Sequence, residues 1–106
     1  MRLRTQAAYL SAWAALEAAP PGAPLAASRV PWPTPAGREA EAGPLLLAGV
    51  PPAARKAALR AEIRRWHPDK FMARHGAALL PAERAAVAAR VNAMSQCVAA
   101  LLQATT

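Results

Sequence analysis

A chain of 106 residues, 55% hydrophobic and 18% charged, has room for one modest domain, and chains of this size bury only about two-thirds of their unfolded surface. Its single cysteine, Cys97, excludes an internal disulfide and a cysteine-based zinc site, and no run approaches the ~18 apolar residues of a membrane span. The formal charge of +7 points to an acidic partner, whether a protein face, a phosphate backbone or a membrane surface, without choosing among them.

Much of the hydrophobic fraction is alanine, which favours helix but contributes little burial, so the larger apolar side chains must build the core. Residues 2–18 read as an amphipathic helix with Leu3, Ala7, Leu10 and Ala14 on one stripe and Tyr9, Trp13 and Leu16 beside it. Arg2, Arg4, the alanines and the lack of an acid before Glu17 are also the composition of an organellar transit peptide. Aromatics at helical spacing favour docking on a core over an address. Pro20, Pro21, Gly22 and Pro24 stop this helix.

A proline-rich connector follows, with Val30-Pro31-Trp32-Pro33-Thr34-Pro35 set for an extended path. Trp32 is expected to staple the connector onto the helices, the alternative being a proline motif read by a partner. Residues 39–48 allow a short helix through Leu45-Leu46-Leu47, ended by Gly49. Beyond Pro52, Leu59, Ile63 and Trp66 recur at i, i+4 and i+7, and Arg55, Lys56, Arg60, Arg64 and Arg65 flank them. Pro68 lacks an N–H and restricts His67, so this helix should end at the corner His67-Pro68-Asp69-Lys70. After a turn around His75-Gly76, Pro81 suits the start of a helix with Val87, Val91, Met94, Val98 and Leu101 on one face.

The two apolar stripes predict an antiparallel helical hairpin joined by a bend of about fifteen residues, and no segment alternates as a half-buried strand does. The expected protein is all-α, divided into an N-terminal helix (1–19), the connector (20–38) and a main helical unit (39–106). Cys97, at an apolar-periodic position, reads as a buried, inert thiol.

Leu47-Ala48-Gly49-Val50-Pro51-Pro52-Ala53, the basic run from Arg60 to Trp66, the corner His67-Pro68-Asp69-Lys70 and Val91-Asn92 together resemble the J-domain, the DnaJ-type module of co-chaperones, over roughly residues 45–102. A closer resemblance takes in Tyr9 with Trp13, Val30-Pro31-Trp32-Pro33, Leu45-Leu46-Leu47 and Arg65 to Phe71. In that order these residues look like the C-terminal region of the NF-kappa-B inhibitor-like protein 1 family. In that family a divergent J-like hairpin typically follows ankyrin repeats and a charged linker; no ankyrin repeat is present, so the chain corresponds to the J-like end. The stretch from Gly49 to His67 is about four residues shorter than in ordinary J-domains, close to one helical turn or ~6 Å. Glu62 stands where an apolar residue is common, and Ser95 where a tyrosine usually packs.

The resemblance implies binding without catalysis: His67, Pro68 and Asp69 contacting a seventy-kilodalton heat-shock chaperone, and Lys70, Arg60, Arg64 and Arg65 meeting an acidic face of that or another protein. It also implies a nuclear or cytoplasmic regulator. Between positions 55 and 74 the chain sets seven cations against Glu62 and Asp69, enough to steer association. The structural alternative makes Asp69 the cap of a helical turn beginning at Lys70. No cofactor is expected. His67 and His75 with Asp69 lack a further convergent ligand for a metal, and no nucleophile with a base, paired carboxylates or phosphate-cradling loop is evident. RNA binding is the rival, with the basic helix on phosphates and Trp66 and Phe71 stacking on bases, although Trp66 shares the apolar stripe. The sequence leaves oligomeric state open.

Overall fold

The computed structural model describes residues 5–20 and 22–105. Among them the architecture is all-α: α1 (Gln6–Ala18), α2 (Gly43–Leu46), α3 (Arg55–Arg65), α4 (Pro68–His75) and α5 (Arg84–Ala104), linked by short 3-10 turns. The nearest approach to sheet is a single parallel bridge between Leu25 and Leu79.

Helix α1 starts where Thr5 Oγ1 accepts the Ala8 N–H at 3.1 Å, and it stops just before Pro20. Its buried face is Tyr9 and Trp13, with Leu16 packed against the core, while Leu10 is 40% exposed and Ala7 and Ala14 face outward. The aromatics expected to dock on a core do so, and the Ala7-Leu10-Ala14 stripe beside them faces outward, Leu3 lying outside the described residues. Two aromatics remove far more area from water than alanines at the same spacing, so they set the rotation of the helix.

The connector is strapped down along its length. Leu25 N–H donates to the Ala78 carbonyl at 2.8 Å, and Val30, Pro31, Pro33 and Thr34 are buried. Trp32 stacks on Trp66 with ring centroids 5.2 Å apart and donates its indole N–H to the Ala27 carbonyl at 2.8 Å, the stapling role its setting predicts. From the other side the Arg90 guanidinium lies 4.1 Å from the Trp32 ring centroid, bonds Glu39 at 3.1 Å and donates to the Thr34 carbonyl.

The helix expected over 39–48 divides into a 3-10 turn, Glu39–Glu41, and α2. Pro44 fits the first turn of a helix but cannot donate inside one, so the α-helical register begins beside it. Gly49 follows with φ +71°, a conformation that disfavours any residue with a Cβ. Helices α3 and α5 pack on one another, Leu59 and Trp66 from one side and Val87, Val91, Met94 and Val98 from the other being at most 2% exposed. Ile63 and Leu101 pack at the edge of this core. The joining segment is largely helical, with α4 inside it and Arg84 Nε clasping the Gly76 carbonyl at 3.0 Å.

Two further expectations change. Cys97 is only partly buried: its thiol donates to the Glu39 carbonyl at 3.0 Å, and burial raises its pKa, the Glu39 carboxylate adding to the effect. The stretch Pro81–Ala104 is, by length and composition alone, apolar enough to cross a membrane. In this fold its valine and methionine stripe faces the core, and the core helix of a water-exposed domain passes the same test.

Trp66 sits at the hub, fully buried and edge-on to Trp13 at 5.1 Å. Trp66→Ala is expected to lower stability by ~3–5 kcal/mol, read from the midpoint of guanidinium unfolding; a loss below ~1 kcal/mol would contradict this packing.

Candidate functional site

The corner is built by backbone chemistry. Helix α3 ends at Arg65, Trp66 closes it with φ −97° and ψ 12°, and His67 turns extended at φ −65° and ψ 116°, as a residue preceding proline must. Pro68 then occupies the first turn of α4, where its missing N–H costs nothing. The cap of α4 is His67: its Nδ1 accepts the Lys70 N–H at a long 3.4 Å. Asp69 is not the cap that the structural alternative expected. It lies in the first turn, exposed, where its charge favours the positive end of the helix.

Side chains sort by exposure. Asp69 and Lys70 project from the corner, His67 and Pro68 are half-buried, and Arg60 and Arg64 are exposed on α3. Arg65 turns inward: its Nη1 donates to Glu62 Oε2 at 2.6 Å, and its guanidinium sits 5.8 Å from the Trp13 ring centroid. Of the proposed contact residues, the fold thus gathers His67, Pro68, Asp69, Lys70 and Arg64 around the C-terminal end of α3, leaves Arg60 exposed at mid-helix and commits Arg65 to an internal pair. Trp66 and Phe71, at 0% and 2% exposure, have no face to offer a nucleic-acid base.

Beneath this surface lies a polar cluster that pattern reading missed. Glu62 is 5% exposed, and its Oε1 accepts the Tyr9 phenol O–H at 2.6 Å; the same phenol oxygen accepts the Trp66 indole N–H at 3.1 Å. Burial drives the Tyr9 pKa well above its ordinary value, and the neighbouring Glu62 carboxylate raises it further, so the phenol stays a donor. The neighbouring Trp13 Nε1 finds no partner among the described residues. The signal was present in the sequence: Glu62 falls three residues after Leu59 and four before Trp66, on the apolar stripe, where a lone acid requires a buried donor.

Between α1, α3 and α4 lies a cleft of about 380 Å³ with Trp13, Phe71 and His75 in its wall and Arg64, Lys70 and Arg74 around it. Arg74 reaches Glu17 of α1 at 3.7 Å across the opening. His75 packs on Phe71 with ring centroids 5.0 Å apart, and its pKa is lowered by burial first and by the Arg74 charge second, Glu17 acting in the opposite direction. Among the described residues no three His, Cys, Asp or Glu side chains converge as metal ligands would.

Tyr9→Phe strands Glu62 Oε1 and the Trp66 N–H, at an expected cost of ~1–3 kcal/mol. A double-mutant cycle with Glu62→Leu, which removes the acceptor, read by chemical unfolding, should give a coupling of at least ~1 kcal/mol; additivity would show that the bond contributes nothing. The pH dependence follows from His75. Its folded value lies below the ordinary 6.5, so as pH falls through 6.5 the unfolded chain takes up the proton first and stability declines until the folded form also titrates. His75→Phe should flatten this segment of the Tm-against-pH curve; an unchanged slope would place its source elsewhere.

No solved structure matches the chain. A family model described as the NF-kappa-B inhibitor-like protein 1 C-terminal domain matches residues 43–106, which span α2 to α5 and the corner between them. The chain belongs to the NF-kappa-B inhibitor-like protein 1 C-terminal domain family.

Proposed function

We propose that this chain is a non-enzymatic interaction module in which the His67-Pro68-Asp69 corner engages a seventy-kilodalton heat-shock chaperone and the exposed cations of α3 meet an acidic face on the same partner. One observation carries the reading: α3 ends so that Asp69 and Lys70 stand clear of the fold beside exposed Arg60 and Arg64. Family membership supports a regulatory or interaction role in general terms. In this scheme His67 and Pro68 fix the turn, Asp69 accepts a charge-assisted bond from a cation on the partner, and the arginines raise the encounter rate. The module needs no cofactor of its own, any ATP hydrolysis belonging to the partner. It acts as a regulator in the nucleus or cytoplasm.

The test is stimulation of a heat-shock chaperone's ATPase by the wild type and by His67→Gln and Asp69→Asn. Loss of one charge-assisted bond is expected to reduce the apparent affinity roughly tenfold in Asp69→Asn, with far-UV circular dichroism unchanged. Equal stimulation by wild type and both variants, or none by the wild type, would reject the corner's role.

A further inference from the structure

The cleft between α1, α3 and α4 has a charge arrangement that the fold itself does not use. Arg64 and Lys70 line it with no ion-pair partner among the described residues, and Arg74 has only a 3.7 Å pairing with Glu17, in which both side chains are about half exposed. By contrast, Arg65 and Arg90 are held in ion pairs at 2.6 and 3.1 Å with carboxylates that are largely buried. Cations gathered around one concavity repel each other, and an anionic occupant relieves that repulsion. The volume of about 380 Å³ admits a few side chains, not a folded domain.

We propose that this cleft binds an acidic peptide segment of a partner protein, its carboxylates bridging Arg64, Lys70 and Arg74. The cations are distributed over two helices, which suits a run of carboxylates more than a single small anion. A nucleic acid suits it less. Trp13 and Phe71 are each only 2% exposed and cannot stack on bases, whereas carboxylates need only the cations. The proposal rests on the interaction reading and extends it to a cleft that shares Arg64 and Lys70 with the corner and adds Arg74 and α1; its assay contains no chaperone, so its failure is distinguishable from that of the corner.

The experiment is fluorescence anisotropy of labelled hexaglutamate with the full chain, at low and at physiological salt. Two double variants remove the same net charge: Arg64→Gln with Arg74→Gln in the cleft, and Arg29→Gln with Arg55→Gln at exposed positions elsewhere. The cleft pair is expected to weaken binding by about tenfold or more and the distant pair by less than about twofold. Equal weakening by the two pairs would mean diffuse attraction to a basic surface and would overturn the site, as would absence of hexaglutamate binding at low salt. Labelled hexauridylate is the second arm: tighter binding than hexaglutamate, lost in the cleft pair alone, would overturn the acidic-peptide assignment in favour of a phosphate backbone.

Discussion

The fold depends on one indole. Trp66 closes α3, lies edge-on to Trp13 of α1, stacks on Trp32 of the connector and on Phe71 of α4, and donates its N–H to Tyr9. Four segments, of which α1 and the connector are distant in the chain, therefore meet on one side chain. Its position one residue before His67 links packing to the corner: the conformation of the His67-Pro68 turn follows from a residue that cannot move without opening the core. An exposed turn usually sits on the least stable part of a small domain. Here it is joined directly to the most buried part.

The polar cluster around Glu62 shapes the surface as much as the core. A carboxylate in an apolar stripe requires donors, and the fold supplies the Tyr9 phenol from α1 and the Arg65 guanidinium from the next turn of α3. This neutralises Arg65 internally and leaves no acid of α3 facing outward. The charged residues on the exposed side of α3 are consequently all cations, Arg60 and Arg64 among them, with Asp69 and Lys70 just beyond. The same bonds tie α1 to α3, so the basic face and the placement of the N-terminal helix have a common origin.

Much of this was legible in the sequence, for stated reasons. Periodicity located α3 and α5 because Leu59, Trp66, Val87, Val91, Met94 and Val98 are large apolar groups at helical spacing, and all are buried. Proline chemistry located the corner and the end of α1. What escaped reading depended on contacts between distant positions. In α1 periodicity alone shows two stripes, and it is burial area that selects Tyr9 and Trp13 over Leu10, Ala7 and Ala14. His67, not Asp69, caps α4 because the cap follows from the backbone at the residue before proline, and a histidine there can use Nδ1. The internal pairing of Arg65 required knowing that Glu62 is buried, and that in turn required knowing that Tyr9, 53 residues away, reaches it.

The match to the family covers residues 43–106, yet the physical unit is larger. Helices α3 to α5 are alanine-rich, and alanine contributes little burial, so these helices alone hold few large side chains relative to the surface they would leave exposed. Residues before position 43 contribute Tyr9, Trp13, Leu25, Val30 and Ala42 to the same buried cluster, with Trp32 packed against it. They also supply Glu39 to Arg90 and to the Cys97 thiol. The connector is thus an element of the core, its prolines keeping it close to the helices without demanding backbone partners it lacks. It follows that the outer cleft owes one wall to α1, and that the chemistry displayed by the matched segment is completed by the part of the chain outside the match.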